Sequence, residues 1–118
     1  VEKACKLGLD GVIISNHGGR QVDVGQATID SLKTILPVYK NKITLMMDSG
    51  IRGGADVARV MATGADFSFM GRTFMYGVSA LGKNGGNHTI SMLKKQLIQV
   101  MEQLSCGEIS QLQEKLIK

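Results

Sequence analysis

Short apolar runs alternate with longer amphipathic segments along this chain, and the alternation predicts its elements. Near-continuous apolar runs of strand length are typical of parallel strands covered on both faces. They lie at residues 11–15, 43–47 and 67–70. Helices are predicted at residues 1–7, 26–36, 54–63, 73–81, 89–104 and from 110 to the C-terminus. Strands that alternate with helices in this way indicate an α/β fold with a parallel sheet.

Glycine and proline mark several of the predicted boundaries. Gly8 and Gly64 are expected to close the helices that precede them. Pro37 is expected to stop the second helix, because proline cannot donate a backbone hydrogen bond. The segment Gly-Gly-Asn-His at residues 85–88 is predicted to be a solvated loop.

Polar motifs follow the C-terminal ends of all three predicted strands, which favours a barrel over a Rossmann-type sheet. The G-x-G-x-x-G turn of a dinucleotide-binding sheet is absent from the sequence. In (β/α)8 TIM barrels the active site lies at the C-terminal ends of the strands, and a complete barrel needs about 250 residues. Only three strands fit in 118 residues. We therefore expect three βα units of a TIM barrel, followed by C-terminal helices.

Composition and charge exclude several functional classes. A net charge of +4 with dispersed Lys and Arg does not indicate a nucleic-acid partner. No apolar run approaches the roughly 20 residues of a membrane span, and the N-terminus does not resemble a signal peptide. Cys5 and Cys106 lie far apart and are expected to be reduced thiols. No metal site is predicted, and the seven methionines are interpreted as core filler.

The first strand is followed by a compact acid–base and anion-binding motif. Residues 15–21 read Ser-Asn-His-Gly-Gly-Arg-Gln. Histidine can gain or lose a proton near neutral pH, and arginine grips a carboxylate with a planar fork of donors. His17 and Arg20 therefore point to chemistry on a small carboxylate-bearing molecule. Taken alone, the pair would also be compatible with a histidine in a turn and an arginine on the surface, without a functional role.

The second and third strands are followed by motifs that suit a phosphate. Residues 48–54 read Asp-Ser-Gly-Ile-Arg-Gly-Gly, and the third strand ends at Gly71-Arg72. Glycines let backbone N–H groups approach a phosphate, and a helix N-terminus favours negative charge. The first of these motifs, taken alone, would also fit a helix cap. Together they predict that Arg52 and Arg72 converge on one anion.

On these three motifs the chain resembles the FMN-dependent α-hydroxy acid dehydrogenase and oxidase family. That family includes lactate dehydrogenases, lactate oxidases, glycolate oxidases and mandelate dehydrogenases. The likeness runs through nearly the whole chain and fades after about Leu104. The resemblance implies that residues 1–118 are the C-terminal portion of such an enzyme, carrying strands six to eight of its barrel.

The resemblance also implies a role for each residue of the motifs. His17 would be the active-site base and Arg20 the clamp on the substrate carboxylate, so that both contact substrate. Ser15 would lie near the isoalloxazine of FMN, and Asp48 would take ribityl hydroxyls. Asn16 is expected to buttress the turn. The full set of residues expected to bind the cofactor is Ser15, Asp48, Ser49, Gly50, Ile51, Arg52, Gly71 and Arg72.

The implied reaction is the FMN-dependent oxidation of a small L-2-hydroxy acid, with L-lactate favoured, to the 2-oxo acid. The electron acceptor stays open among oxygen, a quinone and a cytochrome. The full-length protein is expected to be a cytoplasmic homo-oligomer. Peripheral attachment to the inner membrane is the alternative location. Two alternatives remain: a non-catalytic, truncated flavin-phosphate-binding or association module, and another FMN-dependent barrel enzyme such as an isomerase. The spacing of His17 and Arg20 disfavours the isomerase.

The chain taken alone is expected to be inactive. The family site also uses tyrosines, a carboxylate and a lysine from earlier strands, which this sequence does not contain. Three βα units would leave two sheet edges unpaired and one sheet face open, with apolar residues of 12–14 and 45–47 on that face. Exposed edges and apolar patches drive association. The isolated segment is therefore expected to self-associate.

Overall fold

Three parallel strands form the centre of the structure, a computed structural model that describes residues 1–116. The strands are β1 (Gly11–Ile14), β2 (Thr44–Met47) and β3 (Phe67–Ser68). They lie in the order β1-β2-β3, so each strand pairs with its successor in the chain. Ile14 is in register with Met47, which is in register with Ser68. The C-terminal ends of all three strands therefore meet at one edge of the sheet.

The helices follow the predicted alternation. They are α1 (Glu2–Lys6), α2 (Thr28–Tyr39), α3 (Gly54–Thr63), α4 (Arg72–Leu81) and α5 (Gly85–Gln103). Short 3₁₀ turns occupy His17–Gly19, Gly82–Asn84 and Ile109–Lys115. The α/β class with a parallel sheet is confirmed.

One face of the sheet is packed and the other is open. The packed face contributes Ile14, Leu45 and Met47 to a buried cluster that α2 and α3 complete through Leu32 and Val60. Because side chains alternate along a strand, the neighbouring residues point to the opposite face. The prediction that residues 12–14 and 45–47 lie on an open apolar face is therefore wrong for residues 12, 14, 45 and 47, which pack on the covered face, and right for residue 13.

The open face carries a different set of apolar side chains. Ile13 is 50% exposed, Phe67 55% and Phe69 40%. The rings of Phe67 and Phe69 contact each other with centroids 5.0 Å apart. Parallel sheets are normally covered on both faces, so this surface is unusual for a parallel sheet.

Helix α2 does not end at Pro37 as predicted but continues to Tyr39. Proline in a helix removes one hydrogen bond and crowds the preceding turn. Leu36 and Tyr39, on either side of Pro37, pack against the core cluster, and the Lys40 amide donates to the Leu36 carbonyl. Packing of this last turn outweighs the local effect of the proline.

The segment 85–88, predicted as a loop, is the first turn of α5. Gly85 allows close helix packing instead of flexibility. A Cβ at Gly85 would collide with the backbone of Gly77 in α4, and a Cβ at Gly77 would collide with the Thr89 hydroxyl. Helices α4 and α5 therefore cross with their backbones in contact.

The remaining boundary differences are small. Strand β3 ends at Ser68 instead of Met70, although the Phe69 amide still donates to the Met47 carbonyl. The last segment is a 3₁₀ turn at Ile109–Lys115 that packs on α3 and α5, and the predicted helix beyond residue 116 lies outside the described residues. Cys5 and Cys106 are both free thiols, as expected.

A polar corner stabilises the N-terminal end of the sheet. Lys40 Nζ donates to the Gly64 carbonyl and to Asp66 Oδ1, at 2.5 and 2.7 Å. The other oxygen of Asp66 accepts from the Leu45 amide at 2.8 Å. Burial raises the pKa of the Asp66 carboxyl, but the hydrogen bonds from Lys40 and Leu45 and the charge of Lys40 outweigh it. The pKa therefore lies below its usual range.

Candidate active site

The loop after β1 carries His17 in an unusual backbone conformation. His17, Gly18 and Gly19 have φ angles of 57°, 68° and 72°. Glycine adopts positive φ freely, whereas a histidine there is uncommon and is held by its surroundings. Non-glycine residues in this region tend to cluster at functional sites. Within the loop, the Ser15 hydroxyl accepts from the His17 amide at 3.1 Å.

Asn16 ties this loop to the start of the following segment. Its Nδ2 donates to the Gln26 carbonyl at 3.3 Å, which confirms that it buttresses the turn. Its Oδ1 is buried and has no hydrogen-bond partner among the described residues.

The loop after β2 is joined to the His17 loop by a single side chain. Ser49 Oγ accepts from the Gly18 amide at 3.0 Å and from the Asn16 amide at 3.4 Å. The same hydroxyl donates to Asp48 Oδ1 at 2.6 Å. The backbone of Ser49 also has a positive φ, of 74°. Two strand ends are therefore connected by one hydroxyl.

The start of α4 closes the site from the third strand. Arg72 Nη2 donates to the Gly18 carbonyl at 3.1 Å, and the Thr73 hydroxyl donates to the Arg52 carbonyl at 3.3 Å. A Cβ at Gly18 would lie 3.0 Å from Arg72 Nη2, so glycine leaves room for the guanidinium. The loops after all three strands are thus in direct contact.

The N-terminus of α3 is capped from two directions. Asp56, in its first turn, accepts from the Arg52 amide at 3.0 Å and from Arg59 Nη1 at 3.0 Å. Gln96 Oε1, on α5, accepts from the Gly54 amide at 2.9 Å. The helix-cap interpretation of residues 48–54 is therefore correct for part of the motif, because the amides of Arg52 and Gly54 donate to side chains of the protein.

These elements surround a cleft with a volume of about 400 Å³. Nine of the ten predicted site residues line it: His17, Arg20, Asp48, Ser49, Gly50, Ile51, Arg52, Gly71 and Arg72. Ser15 is not among the lining residues and instead holds the His17 amide. Ile51 is 6% exposed and packs in the core, so that its backbone is the part available to a ligand.

Sequence reasoning missed four residues of this cleft. Gly18, Phe69, Met70 and Met75 also line it. Met75, interpreted as core filler, is 64% exposed. The spacing of apolar residues along the sequence does not distinguish a methionine that lines a cleft from one that packs in the core. For Gly18, the signal was its place between His17 and Arg20.

The electrostatics of the cleft favour an anion. Arg20, Arg52 and Arg72 are exposed, and none of them forms an ion pair with a carboxylate in residues 1–116. One carboxylate, that of Asp48, lines the same cleft, so three guanidinium groups leave an excess of positive charge that attracts an anionic ligand. Arg52 and Arg72 both line this cleft. Their convergence on one anion stays a prediction.

Two other kinds of site are absent from residues 1–116. Among residues 1–116 no helix combines the length and apolar character needed to cross a bilayer. No three histidine, cysteine or acidic side chains in this range are grouped as metal ligands would be.

Comparisons with curated proteins point to one family. A family model described as FMN-dependent dehydrogenase matches residues 1–118. L-lactate dehydrogenase from Alcaligenes faecalis is 39% identical over 114 residues, which cover 97% of this chain and 30% of that protein. Peroxisomal (S)-2-hydroxyacid oxidase GLO3 from Arabidopsis thaliana is 40% identical over 107 residues, 91% of this chain and 30% of that protein. The chain thus spans about a third of the length of these relatives.

Solved structures agree with this assignment. A flavocytochrome b2 mutant with benzoylformate superposes with a TM-score of 0.88 at 36% identity, over 95% of this chain and 30% of that one. A mandelate oxidase mutant with a monooxide FMN adduct gives a TM-score of 0.88 at 30% identity, over 94% of this chain and 35% of that one. The family model covers every residue and the fold agrees, so this chain belongs to the FMN-dependent dehydrogenase family, in which FMN is the cofactor.

Proposed function

We propose that this chain forms the last three βα units of a (β/α)8 barrel enzyme that oxidises a small L-2-hydroxy acid to the 2-oxo acid. The observation that carries the proposal is the arrangement of the three strand ends. The His17 loop contacts the loops that carry Arg52 and Arg72, and all three line one cleft. An acid–base group and two anion-binding groups are therefore available to one bound molecule.

The residues of the cleft fit FMN. A Cβ at Gly50 or Gly71 would meet no atom within 4 Å, so the backbone is open to a ligand at both positions. The first turn of α4 presents N–H groups that a helix leaves without internal partners, and its dipole favours negative charge. Arg52 and Arg72 would hold the phosphate with charge-assisted hydrogen bonds. Asp48 lines the same cleft and would accept hydrogen bonds from ribityl hydroxyls.

The chemistry divides between the cofactor and the protein. Oxidation of a 2-hydroxy acid removes two electrons and two protons. When FMN is bound, it supplies the group that takes up both electrons and one proton, and the other proton goes to the protein. The His17 imidazole would accept a proton from the substrate, because histidine can change its protonation near neutral pH. Ser15 and Gly18 would hold the His17 backbone in place through their hydrogen bonds.

Arg20 would bind the substrate carboxylate. It is exposed and lines the cleft, at the end of the turn that carries His17. A bidentate guanidinium–carboxylate pair fixes the direction of the bound acid, and such positioning supplies much of the rate of an enzyme. L-lactate is the substrate we propose to test first, because a relative named L-lactate dehydrogenase covers nearly the whole chain.

The test is His17→Ala in the longer natural protein that contains this chain. Turnover of L-2-hydroxy acids should fall by roughly 10²–10⁴-fold, the usual contribution of a general acid–base group. The flavin absorbance should remain, since His17 is not among the groups proposed to hold FMN. Retention of more than about a tenth of wild-type turnover would remove His17 from this role.

Arg20→Lys in the same protein separates binding from proton transfer. An ammonium keeps the charge but cannot form the two parallel hydrogen bonds of a guanidinium. KM for 2-hydroxy acids should therefore rise, with FMN content unchanged. Unchanged KM and kcat for this variant would assign the carboxylate to another group.

A further inference from the structure

Ser49 occupies a backbone conformation in which a glycine would be favoured. Its φ angle of 74° lies in the left-handed region, where residues with a Cβ are disfavoured. Glycine would adopt this angle without steric cost. The next residue, Gly50, is a glycine and also has a positive φ, of 78°. The presence of a serine at position 49 therefore needs an explanation in its side chain.

The hydroxyl of Ser49 makes three hydrogen bonds, which is its full capacity. It donates to Asp48 Oδ1 at 2.6 Å and accepts from the amides of Gly18 at 3.0 Å and Asn16 at 3.4 Å. A hydroxyl has one donor and two acceptor lone pairs. The bond to the carboxylate is short, as is typical of charge-assisted bonds, and it fixes the direction of the lone pairs. The side chain is therefore oriented to receive two amides of the neighbouring loop.

The neighbouring loop needs anchors from outside. Three successive residues, His17, Gly18 and Gly19, have left-handed backbones, and such runs are not stable conformations by themselves. Two backbone hydrogen bonds lie within the loop. The Gly19 amide donates to the Asn16 carbonyl, and the Arg20 amide donates to the His17 carbonyl. Gly18 follows His17 directly, and both of its peptide groups are held by other strand ends. Its amide donates to Ser49, and its carbonyl accepts from Arg72.

We propose that Ser49 is a positioning residue, which holds the His17 loop at a fixed distance from the flavin-binding strand end. This inference rests on the function proposed above, and it gives Ser49 a role other than contact with FMN. The hydroxyl acts through the amides of Asn16 and Gly18 on either side of His17. Loss of the hydroxyl lets the loop shift, and the imidazole shifts with it.

Three substitutions in the full natural protein test this role. Ser49→Gly removes the hydroxyl and relieves the backbone, Ser49→Ala removes the hydroxyl alone, and Ser49→Thr keeps a hydroxyl but adds unfavourable branching at positive φ. We expect Gly and Ala to lower kcat by roughly 10- to 100-fold, because small misplacements of reacting groups have effects of that size. KM and FMN content should change little in both. Ser49→Thr should unfold at a lower temperature than Ser49→Gly and yet turn over faster.

That reversal of order distinguishes a positioning role from a merely structural one. If only the backbone conformation mattered, Ser49→Gly would be both the most stable and the most active variant, and the proposal would be overturned. Should Ser49→Thr not fold, the comparison of Gly with Ala remains decisive. The two differ in stability, but they should share the loss of kcat. Wild-type kcat in either one contradicts the proposal.

Amide hydrogen exchange gives a readout that does not depend on turnover. Exchange in residues 16–20 should be faster in Ser49→Gly than in the wild-type protein. The matched control is Ser105→Gly, because Ser105 also has a positive φ, of 54°, is exposed, and its hydroxyl makes no hydrogen bond within residues 1–116. That control should leave both kcat and the exchange of residues 16–20 unchanged.

The outcomes separate the two proposals. Unchanged exchange of residues 16–20 in Ser49→Gly overturns the anchoring role, whatever reaction the protein catalyses. Absence of 2-hydroxy acid oxidation in the wild-type protein overturns the proposed function. Faster exchange together with lower kcat and constant KM supports the positioning role.

Discussion

The substitution Gly54→Ala should separate two helices and weaken FMN binding. Gly54 is the first residue of α3, and α5 crosses it closely. A Cβ at this position would lie 2.6 Å from both the carbonyl carbon and the Cβ of Gln96, and closer still to the amide nitrogen of Leu97. Two of these three atoms are backbone atoms, so no rotamer change in α5 can relieve the overlap. The helices must move apart by a distance of about 1 Å to restore ordinary contact.

Three effects set the size of the change. Overpacking of a well-packed contact costs about 1–3 kcal/mol. Loss of the hydrogen bond from the Gly54 amide to Gln96 costs about 1 kcal/mol more. Alanine offsets part of this, because it is favoured over glycine in a helix by about 0.5–1 kcal/mol. We expect the free energy of unfolding to fall by about 2 kcal/mol, with Arg52, two residues before this helix, displaced.

The assay is urea unfolding of the full natural protein, together with FMN affinity by fluorescence titration. Gly86→Ala is the matched control, because Gly86 lies in the first turn of α5 and a Cβ there would meet no atom within 4 Å. The control should be neutral or stabilising by about 0.5–1 kcal/mol. A Gly54→Ala protein as stable as the wild type, with unchanged FMN affinity, would refute the close crossing of α3 and α5.

Two further predictions follow from the polar corner and from the open sheet face. The stability difference between the wild type and Asp66→Asn should be fully present at neutral pH and disappear as the pH falls through the lowered pKa of Asp66. A difference that is independent of pH, measured by urea unfolding, would contradict the contribution of the Lys40–Asp66 pair. The isolated 118-residue chain should self-associate in sedimentation experiments, because Ile13, Phe67 and Phe69 are exposed on an uncovered sheet. A monodisperse monomer with a cooperative thermal transition would show that these units are self-sufficient.

The strand ends could be predicted from the sequence because each combines an apolar run with a polar break. Leu45 and Met47 are buried in the core, and Asp48 follows them directly at the edge of the cleft. Strand order and the shared edge then follow from the parallel arrangement of successive βα units. The sequence motifs therefore located nine of the ten predicted residues in one cleft.

Contacts between distant segments could not be predicted. Pro37 and Gly85 were interpreted from their local preferences, and in both cases tertiary packing determines the structure. Tyr39 packs against the core beyond the proline, and Gly85 lies against the backbone of Gly77. The bridge from Ser49 to Gly18 is of the same kind, since the two residues are 31 positions apart and no local pattern links them. Ser49 has a backbone angle that favours glycine, but this feature is known only from the structure.

The polar corner of Lys40 and Asp66 lies at the end of the sheet opposite to His17, and this separation bears on how the protein can evolve. The corner joins α2 to the starts of β2 and β3 without any atom of the cleft. Residues in the loops at the other end can therefore be exchanged while the corner continues to hold the strands in register. In (β/α)8 barrels, the fold to which we propose these units belong, one end of the strands serves stability and the other serves chemistry. Under the proposed function, new substrate preferences can accordingly arise by substitution around Arg20, with little change in the residues on which folding depends.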